Sequence, residues 1–230
     1  MGCSGRETRI DIFGMRGLSA ANHLRPEPSA AELAPLTGRG GRSAIGIHGF
    51  DVGGFLVDGG KRDPSALAPL VARAEFPADW RVVILTPPTP AYWHGDRERD
   101  VFATMSGTTA DDALCRLVLF GMLPALAERD LAAFGAALGE YNARAGEPFR
   151  ATQGGTFATA SVAEVVAWLR SEGIDGAGQS SWGPTVFAVV GAADRADALA
   201  RSASAQWDSL AVTVTAGRNR GAEYAGSPRP

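Results

Sequence analysis

The sequence predicts a two-layer protein mixing helices and strands, of α/β or α+β class, and three observations predict it. The last third alternates: an amphipathic stretch at 161–171, an apolar run at 186–190, a helical pattern at 194–205 and a strand pattern at 210–215. Short apolar runs, FLVD at 55–58 and WRVVILT at 80–86, have the length and β-branched content of strands. Composition is that of an ordinary globular chain, 45% hydrophobic with a net charge of −3 over 230 residues, long enough for one or two domains.

Taken in order, residues 1–13 lack periodicity and read as a leader. Residues 15–24 read as the end of a helix stopped by Pro26 and Pro28. Ser29-Ala-Ala-Glu32 is a capping box that starts a second helix, expected to stop at Gly38. Residues 41–61, GRSAIGIHGFDVGGFLVDGGK, read as a glycine-rich turn feeding the strand 55–58. The strand at 80–86 runs into a loop carrying Tyr92, Trp93 and His94, after which Glu98 and Phe102 open a helical pattern. Helices follow at 108–127, bent near Pro124, and at 130–145, as a hairpin with apolar inner faces. Gln153-Gly-Gly155 reads as a plain turn, with a backbone approach to ligand as the alternative. A helix at 161–171 ends at Gly173, and residues 176–185 form a polar glycine loop before the strand that ends at Val190. The tail after Gly217 has a disorder-prone composition.

The 41–61 stretch concentrates the chemistry. Its seven glycines allow close backbone approach to a ligand, and Arg42, Ser43 and Lys61 are the side chains that accompany such a backbone when the ligand is phosphorylated. Lys61 is the only lysine of the chain, a compact point charge in an arginine-rich background. No general phosphate motif is matched, so a glycine-rich turn remains the alternative. The pI of about 5.7 argues against a nucleic-acid binder. Cys3 and Cys115 are too few for a disulfide framework or a metal cluster, the opening residues lack the apolar core of a signal peptide, and no run reaches membrane-span length. A reducing cytoplasm is the expected setting.

GAGQSSWGPT at 176–185, taken with RSAIGIHGF at 42–50 and GGFLVDGG at 53–60, resembles the β-ribofuranosylaminobenzene 5′-phosphate synthase family. That family belongs to the superfamily of galactokinase, homoserine kinase, mevalonate kinase and phosphomevalonate kinase. The resemblance runs from about residue 17 to residue 222. It implies a kinase-superfamily fold with a shortened amino-terminal S5-like domain at 14–105, a ferredoxin-like domain at 106–216 and a tail at 217–230. It also implies an activity: phosphoribosyl diphosphate and a 4-hydroxy- or 4-aminobenzoate joined with loss of carbon dioxide and diphosphate, on the route to tetrahydromethanopterin. Mg²⁺ and a homodimer are implied as well. The family's GLGSGTQ-type phosphate loop has no counterpart here, so the chain resembles the family with its first portion cut off or replaced. The kinases' serine-glycine-isoleucine-aspartate string falls on Ser43-Ala-Ile-Gly46, and glycine accepts no proton.

Under that resemblance Asp58 and Glu98 are candidates for holding the metal or facing the ribosyl cation, and His48 for taking the para substituent's proton. Arg42, Ser43, Lys61, Gly53 and Gly54 would hold phosphates. His94, Gln179, Ser180, Ser181, Trp182 and Thr185 would complete substrate binding, Trp182 by stacking. Each has a plainer alternative: Asp58 capping the Gly59–Gly60 turn, Glu98 in a first helical turn, Ser43 capping a helix, His48 and Trp182 packed in a core, His94 exposed in a loop. The two glycine-bearing strings are expected to meet across one cleft. The alternatives to a pentosyltransferase are a truncated, inactive paralogue and, behind it, a small-molecule kinase.

Overall fold

A computed structural model describes residues 29–222 apart from 35, 37–38, 41–42, 62, 64, 89–111 and 182. The expected leader, the helix at 15–24, Arg42, the loop with His94 and Glu98, and Trp182 therefore lie outside the described residues. The chain divides into two units, one of residues 1–75 with 218–230 and one of residues 76–217.

The first unit opens with α1 (Ala30–Leu33), where the Ser29 side chain accepts from the Glu32 N–H and the Glu32 carboxylate accepts from the Ser29 N–H. The capping box is real, but the helix ends at Leu33 rather than Gly38, two residues before Pro35, which brings no N–H to extend it. Residues 45–52 correct a second expectation. They form an eight-residue helix, α2 (Ile45–Val52), where a glycine turn was expected. Gly46 and Gly49 lower its propensity, but Ile47 and Phe50 pack with Ala30, Ala34 and Leu67, and that burial offsets the loss.

Strand β1 (Phe55–Asp58) follows as expected and pairs antiparallel with β2 (Leu70–Ala74), Phe55 opposite Ala74, with a bulge between Val57 and Asp58. The segment from Arg218 then crosses the start of β1: the Gly54 N–H donates to the Arg218 carbonyl, Ala222 donates to Phe50, and the Arg73 guanidinium reaches the Gly53 and Asn219 carbonyls. Gly53 sits at φ +60, and a Cβ there would lie 2.5 Å from the carbonyl oxygens of Arg218 and Arg220. Only glycine fits that crossing.

The second unit is built on a four-stranded antiparallel sheet in the order β4-β5-β3-β6, where β3 is Arg81–Thr86, β4 Ala177–Gln179, β5 Val186–Val190 and β6 Ala211–Ala216. The two strands next in sequence to β3 form a hairpin, and β6 returns to its other side. This is the split β-α-β arrangement of a ferredoxin-like domain. Val83 and Leu85 of β3 and Val186, Ala188 and Val190 of β5 alternate onto one buried face.

Helices cover that face. α7 (Ala160–Ser171) contributes Val162, Val165, Val166 and Leu169, and α8 (Ala193–Gln206) contributes Ala196, Leu199 and Ala203. Between β3 and β4 run α3 (Asp112–Arg116), a π-helical turn at Leu117–Met122, α4 (Leu123–Glu128), α5 (Leu131–Gly146), a 3₁₀ turn (Glu147–Phe149) and α6 (Arg150–Gln153). The interruption expected near Pro124 is the π turn, in which the Leu123 N–H reaches back five residues to Val118. The helical hairpin is not apolar only on its inner side, since Leu119 and Phe120 are exposed, with Arg116 over the Phe120 ring. Residues 177–179, expected as loop, are the strand β4; α5 lies against its approach because Gly135 and Gly139 present bare backbone to Gly176 and Asp175.

Candidate functional site

In the first unit, Ser43 and Asp58 are engaged with each other and with neighbouring backbone. Asp58, at the end of β1, accepts from the Ser43 hydroxyl at 3.0 Å, the Ala44 N–H at 3.2 Å and the Gly60 N–H at 3.3 Å. The Ser43 oxygen in turn accepts from the Ile45 N–H at 3.2 Å, so Ser43 and Asp58 together close the first turn of α2. Three donors fill three of the roughly four lone-pair sites of a carboxylate. Among the described residues those three are its donors, and a carboxylate of this kind is an all-oxygen group of the type that suits Mg²⁺. Among the described residues no group of three His, Cys, Asp or Glu gathers around a point that could hold a metal.

His48, half-buried on α2, contacts the Ala68 carbonyl through Nε2 at 2.9 Å. A carbonyl only accepts, so Nε2 carries a proton and Nδ1 is the ring nitrogen left for other contacts. Gly53 and Gly54 face backbone of their own unit, as described above. Lys61 adds a small share to lowering the Asp63 carboxyl, whose main causes are the Ser65 N–H and hydroxyl.

In the second unit, the β4–β5 turn is held by side chains from two other elements. Asn142, on α5, accepts from the Gln179 N–H at 2.9 Å and donates to the Gln179 carbonyl at 2.8 Å, standing in for a neighbouring strand. Gly178 leaves the room, because a Cβ there would run into Asn142. The Gln179 side chain is buried; its Oε1 accepts from the Ala158 N–H at 2.7 Å and its Nε2 donates to the Ser181 carbonyl at 2.7 Å. That second bond holds Ser181 at φ +51, a left-handed conformation costly for a residue with a Cβ. The Ser180 N–H closes the turn on the Thr185 carbonyl at 2.8 Å, and the Thr185 hydroxyl lies 3.4 Å from that of Thr86.

Beside this turn is a cleft of about 230 Å³. Gln179 and Ser181 line it, joined by Tyr141, Asn142, Phe149 and Thr156. The structure thus brings Gln179 and Ser181 to one cleft and makes Gln179 a positioning group, its amide spent on backbone. Sequence reading missed Asn142, Tyr141, Phe149 and Thr156. For Asn142 a signal existed, a poor helix former in mid-helix.

Residues 122–209 match the family described as GHMP kinases C terminal. The chain is 33% identical over 208 residues to the β-ribofuranosylphenol 5′-phosphate synthase of Methanothermobacter thermautotrophicus, covering 84% of this chain and 61% of that protein. It is 34% identical over 240 residues to the protein of the same name from Archaeoglobus fulgidus, covering 95% of this chain and 71% of that one. The chain therefore spans a little under two thirds of the first relative's length. Among solved structures, homoserine kinase from Cytophaga hutchinsonii aligns with a TM-score of 0.54 at 18% identity, over 77% of this chain and 53% of that one, a likeness of fold. With a GHMP-type carboxyl-terminal domain and this extent of identity to the archaeal synthases, the chain belongs to the β-ribofuranosylphenol 5′-phosphate synthase family.

Proposed function

We propose that the protein is a pentosyltransferase that joins the ribose 5-phosphate of phosphoribosyl diphosphate to a para-substituted benzoate. The C1–oxygen bond to diphosphate breaks, a bond forms between C1 and the ring carbon bearing the carboxylate, and that carboxylate leaves as carbon dioxide, its electron pair restoring the aromatic ring. The observation that carries this reading is 34% identity over 95% of the chain to a protein named for a ribofuranosylphenol phosphate. The pathway proposed is tetrahydromethanopterin biosynthesis, in the cytoplasm, by a homodimer.

In this reading the reaction needs opposite charges stabilised close together. Mg²⁺ would be held by Asp58 and by Glu98, and when bound it would neutralise diphosphate. Arg42, Ser43 and Lys61 are assigned to phosphate oxygens. His48 is assigned the proton of the para substituent, through Nδ1. Gln179 keeps Ser180 and Ser181 in place, and His94, Trp182 and Thr185 face the substrates. Gly46, standing where the kinases carry their aspartate, weighs against phosphoryl transfer.

One observation favours a second reading, a binding scaffold without turnover: Ser43, Asp58 and Gln179 are all engaged within the protein. Purified protein incubated with phosphoribosyl diphosphate, Mg²⁺ and 4-hydroxy- or 4-aminobenzoate separates the two. The transferase reading expects diphosphate and carbon dioxide in equal amounts. Binding of both substrates with release of neither product establishes the scaffold instead.

A further inference from the structure

We propose that the cleft beside Gln179 is a binding site for one planar aromatic ring with a neutral polar substituent, the phenol end of the product in the relatives' name, and that it rejects phosphate. The inference deepens the reading above and rests on it for the identity of the ring, while the site itself rests on the cleft.

Among the described residues lining the cleft none is Lys, Arg, His, Asp or Glu, so none of them offers an anion an opposite charge. Two backbone N–H groups beside the cleft are committed, that of Gln179 to Asn142 and that of Ala158 to the Gln179 side chain. Glu147 and Arg150, close in sequence to Phe149, pair with each other at 3.3 Å, and Glu147 also takes the Thr156 hydroxyl at 2.9 Å. Desolvating a phosphate against such a lining is costly.

A ring meets different terms. Tyr141 on α5 and Phe149 on the following 3₁₀ turn supply aromatic surface, Ala145 adds only a methyl group to the lining, and Gly146 lets the Thr156 backbone pack close. The lone pairs of the Thr156 oxygen and the exposed side chain of Ser181 provide partners for a ring hydroxyl. A cavity of roughly 150 Å³ takes benzene. At about 230 Å³, this cleft has room for a ring with a substituent.

The test is a titration of the full ¹⁵N-labelled chain with phenol, with 4-hydroxybenzoate and with inorganic phosphate, repeated on Ala145→Phe, which fills the cleft. Phenol is expected to move amide signals of residues 141–156 and 179–181, phosphate is expected to leave them in place, and Ala145→Phe is expected to weaken phenol binding at least tenfold. Phenol signals elsewhere, equal affinity in Ala145→Phe, or phosphate shifting the same amides would overturn the assignment. Should Ala145→Phe not fold, the map on the unsubstituted chain decides alone. Titration with phosphoribosyl diphosphate separates the two proposals. A chain that binds phenol in the cleft but neither binds the donor nor turns over keeps the site and loses the transferase reading; turnover with phenol binding insensitive to Ala145 does the reverse.

Discussion

Asn142 reads the backbone of Gln179 as a β-strand would, one side-chain amide accepting its N–H at 2.9 Å and donating to its carbonyl at 2.8 Å across 37 positions of sequence. Without it the outer edge of β4 at this residue is bare. Asn142→Ala is expected to cost about 2–3 kcal/mol, since two partly buried backbone groups lose their partner together. Asn142→Asp keeps the acceptor and loses the donor, so its urea midpoint should fall between those of the other two. Equal midpoints for Asn142→Ala and the unsubstituted chain would dismiss the clamp.

Ser181 occupies left-handed backbone at φ +51. If the conformation is retained for its side chain rather than for folding, Ser181→Gly should raise stability by roughly 1 kcal/mol, the cost of a Cβ in that region, while lowering transferase turnover. Thermal melts and the diphosphate assay read the two effects separately. A variant both more stable and fully active would remove Ser181 from the site.

Gly139 sits in the middle of α5, where alanine is the better helix former by about 1 kcal/mol. A Cβ there would collide with the Asp175 carbonyl just before β4. Gly139→Ala should therefore destabilise by about 1–3 kcal/mol, against its propensity. Chemical denaturation of that single variant gives the sign, and a stabilised protein would mean that α5 can shift off the strand without loss.

These residues also mark where the sequence was legible. Strand β1, strand β3 and helix α7 announce themselves through local pattern, and the structure gives them the bounds their patterns imply to within a residue. Helix α2 did not, because Gly46 and Gly49 interrupt the period that Ile47 and Phe50 follow, and its stability comes from Ala30, Ala34 and Leu67 outside the helix. Strand β4 reads as Ala-Gly-Gln, a loop composition, and is a strand because of its pairing with β5 and the Asn142 amide. Strand β2 was missed altogether, its five residues following directly on Pro69. For the site, GQSSWGPT pointed to Gln179 and Ser181, but the wall facing them comes from residues 141–156, which carry no motif of their own.

Carboxyl groups make the acid stability predictable in sign. Glu32 is held below the usual carboxylate range by the Ser29 N–H first and the Ser29 hydroxyl second, and Asp63 likewise by Ser65. A lowered folded pKa means that the ionised form favours the folded state. The contribution is complete above the ordinary values of 4.5 and 3.8 and disappears as pH falls through the lowered ones. Urea midpoints of the unsubstituted chain and Glu32→Gln should therefore differ at pH 7 and converge as pH falls below the ordinary carboxylate range and through the lowered value. A gap that persists undiminished at the acid end would assign the capping box to hydrogen bonding that ignores ionisation.

His48 joins a structural bond and a proposed chemical one in the same ring. Its Nε2–H donates to the carbonyl of Ala68, a residue only 1% exposed, leaving Nδ1 as the ring nitrogen for other contacts. Removing the ring with His48→Ala leaves that carbonyl unpaired, an expected loss of about 1–2 kcal/mol. His48→Gln carries an amide N–H at a similar reach and should recover most of that stability, yet an amide oxygen cannot take a proton from a phenol at neutral pH. Turnover should therefore stay at least a hundredfold down in His48→Gln, at full saturation with donor and acceptor, while both substrates still bind. If glutamine restores rate along with stability, His48 is a scaffold residue, and the proton acceptor must be sought among the other groups assigned to the site.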